Sequence, residues 1–125
     1  MVDNEPGVLA RVVGLFSGRG YNIESLSVSE VDSHKFLSRI TVVTSGTKII
    51  VDQIKAQLAK LIPVHNLVDI TELKSFIGKE LILIKLDVKN KQTIDFKKKL
   101  ERLGAKILEQ NDLDLIVQFT GSPDE

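Results

Sequence analysis

Apolar positions along the chain switch repeatedly between helical and alternating spacing, and each switch marks an element. In GVLARVVGLF, residues 7 to 16, Leu9, Val12, Val13 and Phe16 follow the i, i+3, i+4, i+7 rule of one helical face. Pro6 pre-sets its backbone for the helix start, and Gly7 permits a tight turn there. SGRG at 17 to 20 ends the helix, with Gly18 or Gly20 able to take the left-handed cap conformation. Alternation follows: Leu26 and Val28 face one way and Ser25, Ser27 and Ser29 the other, as in a half-buried strand. VDSHK is a turn, and FLSRITVVTS at 36 to 45 returns antiparallel with Ile40 and Val42 on one face. TKIIVDQIKAQLAKLI at 47 to 62 is a second helix, striped by Val51, Ile54, Leu58 and Leu61 and ended by Pro63. VHNLVDITEL, from residue 64, reads as a further strand.

The second half begins after KSFIGKE, a polar stretch with a glycine that suits a linker. LILIKLDV at 81 to 88 is almost wholly apolar, which predicts a central strand covered on one face and partly on the other. KQTIDFKKKLERL at 91 to 103 reads as a helix with Phe96, Leu100 and Leu103 on one side, capped by Gly104. AKILE is a short strand, QND a tight turn, and LDLIVQFTG a last strand whose Leu113, Leu115, Val117 and Phe119 share a face. Each half therefore holds part of a strand-helix-strand-strand-helix-strand order, the split βαβ or ferredoxin-like arrangement. The expected class is α+β, with antiparallel sheets carrying helices on one face. No residue-level repeat links the halves.

Bulk properties remove several functions. The chain has 125 residues, 42% of them hydrophobic, enough for one domain or two very small ones. Seventeen basic residues balance seventeen acidic ones, which argues against a general nucleic-acid or membrane-surface binder and weakly favours self-association. No run approaches a membrane span, and no signal-peptide pattern is present. Cysteine is absent, which excludes disulfides and thiolate metal sites and fits a reducing cytosol. His34 and His65 are too far apart for a metal-ligand spacing and read as exposed or structural, so no metal is expected. FKKKLER at 96 to 102 reads as a solvated basic face. No catalytic constellation and no phosphate-binding glycine loop can be assembled.

The stretch NEPGVLARVVGLFSGRGYNIESLSV closely resembles the N-terminal ACT domain of the small regulatory subunits of acetolactate synthase (acetohydroxyacid synthase). The matching positions are Asn4, Gly7, Leu9, Arg11, Val12, Gly14, Leu15, Phe16, Arg19, Gly20, Tyr21, Asn22, Ile23, Ser25 and Leu26. The resemblance extends through LSRITVVTSG and VDQIKAQLAKLIPVHNLVDIT, is strong through residue 73, and is looser after residue 90. It implies an ACT domain at 1–73 with its first strand largely missing, a linker at 74–79, and at 80–125 a second ferredoxin-like domain lacking its closing helix and strand. By that comparison both ends are expected to be shortened. It further implies a homodimer joined through ACT sheets, a branched-chain amino acid (valine, leucine or isoleucine) as effector, and a large catalytic subunit as partner. Thiamine diphosphate, magnesium and FAD would belong to that partner, with no cofactor in this chain. The location implied is the bacterial cytosol, or a plastid in a plant.

The residues themselves suit such an effector. The first N–H groups of a helix lack intrahelical partners, and the helix dipole makes that end positive, so a small carboxylate is a natural guest. Gly7 leaves the approach to those amides open, and Asn4 and Asn22 offer amide donors and acceptors. Val8, Leu9 and Ile23 would line a branched aliphatic side chain. An N-x-P-G stretch is equally an ordinary turn and helix start, and spacing alone favours that plainer reading. Carried over from the family, Asn4, Gly7 and Asn22 would touch the effector, with Leu9 and Ile23 secondary. Arg11 and Arg19 read at least as well as solvated helix cations. A free-standing amino-acid-sensing ACT module is the main alternative. An RNA-binding module is disfavoured because the central strands carry Leu, Ile and Val where base stacking needs aromatics. Sheet edges left unpaired by shortened ends should drive association, so size-exclusion chromatography is expected to show a dimer or larger species. A well-behaved monomer would contradict this.

Overall fold

The chain forms two compact units, Met1–Ile70 and Thr71–Glu125. A computed structural model describes residues 1–87, 93–111 and 114–122. The first unit is organised around Phe16, which is 1% exposed and packs with Val12 and Ile54. Its elements are β1 (Val2–Asp3), α1 (Val8–Gly18), β2 (Ser25–Asp32), β3 (Leu37–Val43) and α2 (Lys48–Ala59). The sheet order is β1-β3-β2, all antiparallel. Ile40 and Val42 of β3 pack against the helical cluster, and Val28 and Leu26 of β2 lie directly opposite them in register. The alternation in β2 and β3 therefore puts the predicted residues on the helix-facing side.

The buried stripe of α1 is shifted by one position from the predicted one. Val8, Val12 and Phe16 are buried with Leu15 partly so, whereas Leu9 is 40% exposed. Both choices are helical spacings, and the apolar residues at 8, 9, 12, 13, 15 and 16 allow either. The choice is made where α1 meets Ile54 of α2. In α2 the packed positions are Ile50, Ile54 and Leu58, followed by Leu61; Ile50 takes the place predicted for Val51. Thr47 caps α2, its hydroxyl oxygen accepting from the Ile50 N–H. The exit from α1 is a Schellman turn: the Gly20 N–H bonds to the Ser17 carbonyl and the Tyr21 N–H to the Phe16 carbonyl at 2.9 Å. Gly20 takes φ 70, and Tyr21 folds back onto the Phe16 cluster. Gly18 stays helical.

The strand predicted from residue 64 does not form. Val64 makes a single bridge to Val2, and Ile70–Glu72 winds into a 3-10 turn. β1 offers only Met1–Asp3 for pairing. The ladder amounts to the Asp3 N–H on the Pro63 carbonyl and the His65 N–H on the Met1 carbonyl, both at 2.9 Å, a longer bond from the Asn66 N–H to the Met1 carbonyl at 3.4 Å, and the Met1 ammonium on the Asn66 carbonyl. The His65 ring also pairs with the Asp3 carboxylate, a structural role. The first strand, expected to be largely missing, is thus a two-residue strand that holds the interior place between β3 and the segment at 63–66.

The second unit contains β4 (Glu80–Asp87), α3 (Thr93–Arg102), β5 (Lys106–Gln110) and β6 (Asp114–Gly121), with sheet order β4-β6-β5. Leu115 and Val117 of β6 are fully buried and pack with Leu100 and Ala105, joined by Leu86, Ile107 and Phe119. This is the predicted face of the last strand; Leu113, like Val88, lies outside the described residues. Gly104 and Ala105 repeat the Schellman closure, on the carbonyls of Glu101 and Leu100. Leu103 falls at that turn and is exposed rather than on the helix face. The apolar run LILIKLD is an edge strand, not a central one: β6 takes the centre, and Leu81 and Leu83 are about 60% exposed. Register puts Ile82, Ile84 and Leu86 opposite Phe119, Val117 and Leu115, so the other β4 leucines turn away from that core. Lys85 bonds to Asp114 at 2.9 Å; that hydrogen bond, and after it the charge, raises the lysine pKa above 10.5.

One residue of the first unit departs from ordinary backbone geometry. Phe36 closes the β2–β3 hairpin at φ 51 with its side chain 65% exposed. A left-handed L-residue costs about 1–2 kcal/mol. Phe36→Gly is therefore expected to raise stability by about 1 kcal/mol, seen as a higher urea midpoint with unchanged slope.

Candidate functional site

The start of α1 is built by a turn whose chemistry is spelled out in sequence. The Val8 N–H bonds back to the Glu5 carbonyl at 3.3 Å, and Gly7 takes φ 86 and ψ −10. These are the angles of the third residue of a type II turn, which favours proline second and glycine third. Glu5-Pro6-Gly7-Val8 meets both preferences. Gly7 is also the N-cap of α1, and nothing among the described residues lies within 4 Å of where a side chain on it would begin. Among those residues, no side chain caps the helix, and its first turn carries no acidic residue. The amides at this end and the positive pole of the dipole consequently face an approach that glycine leaves clear.

Asn4 stands beside this turn. Its backbone N–H bonds to the Phe36 carbonyl at 2.7 Å, and its side-chain Nδ2 donates to Glu30 Oε2 at 2.8 Å. Val2, Asp3, Asn4, Glu5, Val8 and Leu9 border an open cleft of about 60 Å³, floored from the sheet by Val28, Ser38 and Ile40. That volume holds a few waters, well short of the roughly 300–1,000 Å³ of a ligand pocket. Of the predicted contacts, the cleft gathers Asn4, Val8 and Leu9; Gly7, in the turn between Glu5 and Val8, does not line it. Val8 is 5% exposed, so it serves the cleft from inside the core, while Leu9 stands open to solvent.

Asn22 and Ile23 lie elsewhere. They follow the Schellman turn at the far end of α1, whose 11 residues span about 16 Å. Asn22 is exposed, and its backbone carbonyl accepts from the Thr44 hydroxyl at 2.6 Å. Ile23 packs against the Phe16 cluster. Within one chain, the two asparagines are thus held at opposite ends of the same helix. Glu30, which holds the Asn4 side chain, is a residue that motif reasoning passes over. The alternation of β2 nonetheless signals it, since Glu30 occupies the helix-side face two positions from Val28, where the pattern otherwise places apolar residues. Among the described residues, no group of acidic and histidine side chains could hold a metal, and no helix is long and apolar enough to cross a membrane.

Replacing Gly7 tests the turn directly. Gly7→Val meets open space yet forces a β-branched residue to φ 86, so any loss is conformational. A stability loss of about 1–3 kcal/mol in urea titration is expected.

Residues 1–66 match the family described as the AHAS small subunit-like ACT domain. The chain is 38% identical over 125 residues to a probable acetolactate synthase small subunit of Archaeoglobus fulgidus, covering 100% of this chain and 77% of that protein. It is 35% identical over 122 residues to the acetolactate synthase small subunit of Buchnera aphidicola subsp. Schizaphis graminum, covering 98% and 76%. The crystal structure of the acetolactate synthase small subunit from Thermotoga maritima matches the fold with a TM-score of 0.86 at 29% identity, over 98% of this chain and 76% of that one. With its α+β, ferredoxin-like architecture and the turn at Gly7, the chain belongs to the acetolactate synthase small-subunit family and carries that family's ACT domain in its first unit.

Proposed function

We propose that this chain is the non-catalytic regulatory subunit of an acetolactate synthase. It binds valine, leucine or isoleucine and shifts the activity of a thiamine-diphosphate-dependent catalytic subunit. The observation that carries the reading is the start of α1: unshielded amides, a left-handed glycine and the Asn4 amide side by side. A branched-chain amino acid offers a carboxylate for the amides, an ammonium for an amide oxygen, and an aliphatic side chain for Val8 and Leu9.

A second copy of the chain completes the site. The cleft is too small alone, and Asn22 is about a helix length from Asn4. β2 lies at the edge of its sheet, a ready template for pairing. Pairing there would let the helix start of one protomer face the loop at Asn22 and the β2 strand of the other. Effector binding is then coupled to dimer geometry. It acts on the catalytic partner to the extent that the effector prefers one conformation of the complex. Thiamine diphosphate, magnesium and FAD belong to that partner, and the assembly works in the cytosol or a plastid.

Calorimetry with valine tests this. Asn4→Ala and Asn22→Ala are each expected to weaken binding at least about tenfold, the loss of one well-placed hydrogen bond to a charged group. Mixed and refolded together, the two variants should regain tight binding at about half the sites of a heterodimer, because one of its two sites then holds both asparagines. Unchanged affinity in both single variants removes the site, and no recovery on mixing removes the shared interface.

A further inference from the structure

The Asn4–Glu30 hydrogen bond has a chemical direction. An ionised carboxylate only accepts hydrogen bonds, so Asn4 must turn its Nδ2 toward Glu30. Its carbonyl Oδ1 is then set on the other side of the amide. Left alone, an asparagine side chain presents either end, since its amide is nearly symmetric in shape. Here the choice is made by a residue 26 positions away in sequence.

The fold makes the reach possible. Glu30 pairs with Ser38 in the β2–β3 ladder and lies on the same face as Val28, the face that floors the cleft. Ser38, between Glu30 and β1, is 5% exposed and small, so the longer glutamate side chain passes over it to Asn4. Immediately after Glu30 the ladder shifts register at a β-bulge, where Val31 is the extra residue. Glu30 is therefore the last residue of β2 before the strand changes its facing, at the end of the strand nearest the α1 turn.

We propose that Glu30 is a positioning residue that makes the site selective for an amino acid over the corresponding acid without an amino group. This rests on the function proposed above. Glu30 holds Asn4 so that Oδ1, an acceptor, is the end offered to the effector, and its own carboxylate adds negative charge beside that oxygen. An ammonium group is attracted by both. A ligand with the same carboxylate and side chain but no ammonium meets an acceptor it cannot satisfy. The carboxylate end of the ligand, seated on the amides after Gly7, gains nothing from the negative charge of Glu30.

The test compares valine with 3-methylbutanoate, which lacks only the amino group, by calorimetry on the full chain. The wild-type protein is expected to bind valine at least about tenfold more tightly than the analogue. Glu30→Ala should weaken valine about tenfold and leave the analogue bound as tightly as before or more tightly, so selectivity collapses. Glu30→Gln retains an acceptor for Nδ2 without the charge and should lose an intermediate amount. It also serves as the variant of choice if the alanine form unfolds. In the Asn4→Ala background, Glu30→Ala should weaken valine by less than it does alone, because the part of its effect that passes through Asn4 is already lost. Equal weakening of both ligands would mark a purely structural residue and overturn the assignment, as would unchanged valine binding, while the effector site itself would stand. Absence of valine binding by the wild-type protein would overturn the proposed function and this assignment with it.

Discussion

Gly7 holds a backbone conformation that L-residues adopt only under strain, and the path of the chain from the first strand into the first helix depends on that one residue. At φ 86 it turns the chain from β1 into α1 within four residues. The turn sends α1 across the sheet so that Val8, Val12 and Phe16 point into the core. It also leaves Asn4 at the edge of the helix start, within reach of Glu30. A residue with a Cβ at this position would strain the turn even though there is space around it. The same glycine thus serves folding and access to the amides, which is why the site and the core cannot be separated in this unit.

The ends of α1 differ in what they do with their unpaired backbone groups. At the C-terminal end, the Schellman turn consumes the carbonyls of Phe16 and Ser17 internally and packs Tyr21 against the core. At the N-terminal end, no side chain among the described residues closes the helix. One end is closed by the chain itself, and the other is left without a side-chain cap among the described residues. The cleft beside it is shallow because a single sheet supplies its floor and, among the described residues, none roofs it.

The second unit shows how little a strongly apolar run says about strand position. Leu81 to Leu86 would suit a central strand covered on one face and partly on the other, yet the ladder places it at the edge beside β6. Centrality belongs to β6 because it pairs on both sides and its Leu115 and Val117 meet Leu100 of α3. Leu81 and Leu83 are exposed because they lie on the face of β4 turned away from that core.

Local chemistry is legible in the amino-acid sequence itself. The N-E-P-G turn, the glycine closures at Gly20 and Gly104, and the faces of β2, β3 and β6 depend on contacts within a few residues, and their patterns carry them. The family block at 4 to 26 likewise lies in one continuous stretch. Three things were decided by tertiary structure. Which apolar stripe of α1 is buried depends on where Ile54 meets it. Whether the segment after Pro63 becomes a strand depends on the two-residue β1 it pairs with. Which partner the Asn4 side-chain amide finds depends on Glu30, brought near only when β2, β3 and β1 assemble. Each needs partners distant along the chain, and hydrophobic periodicity says which residues turn inward without saying what they will meet there.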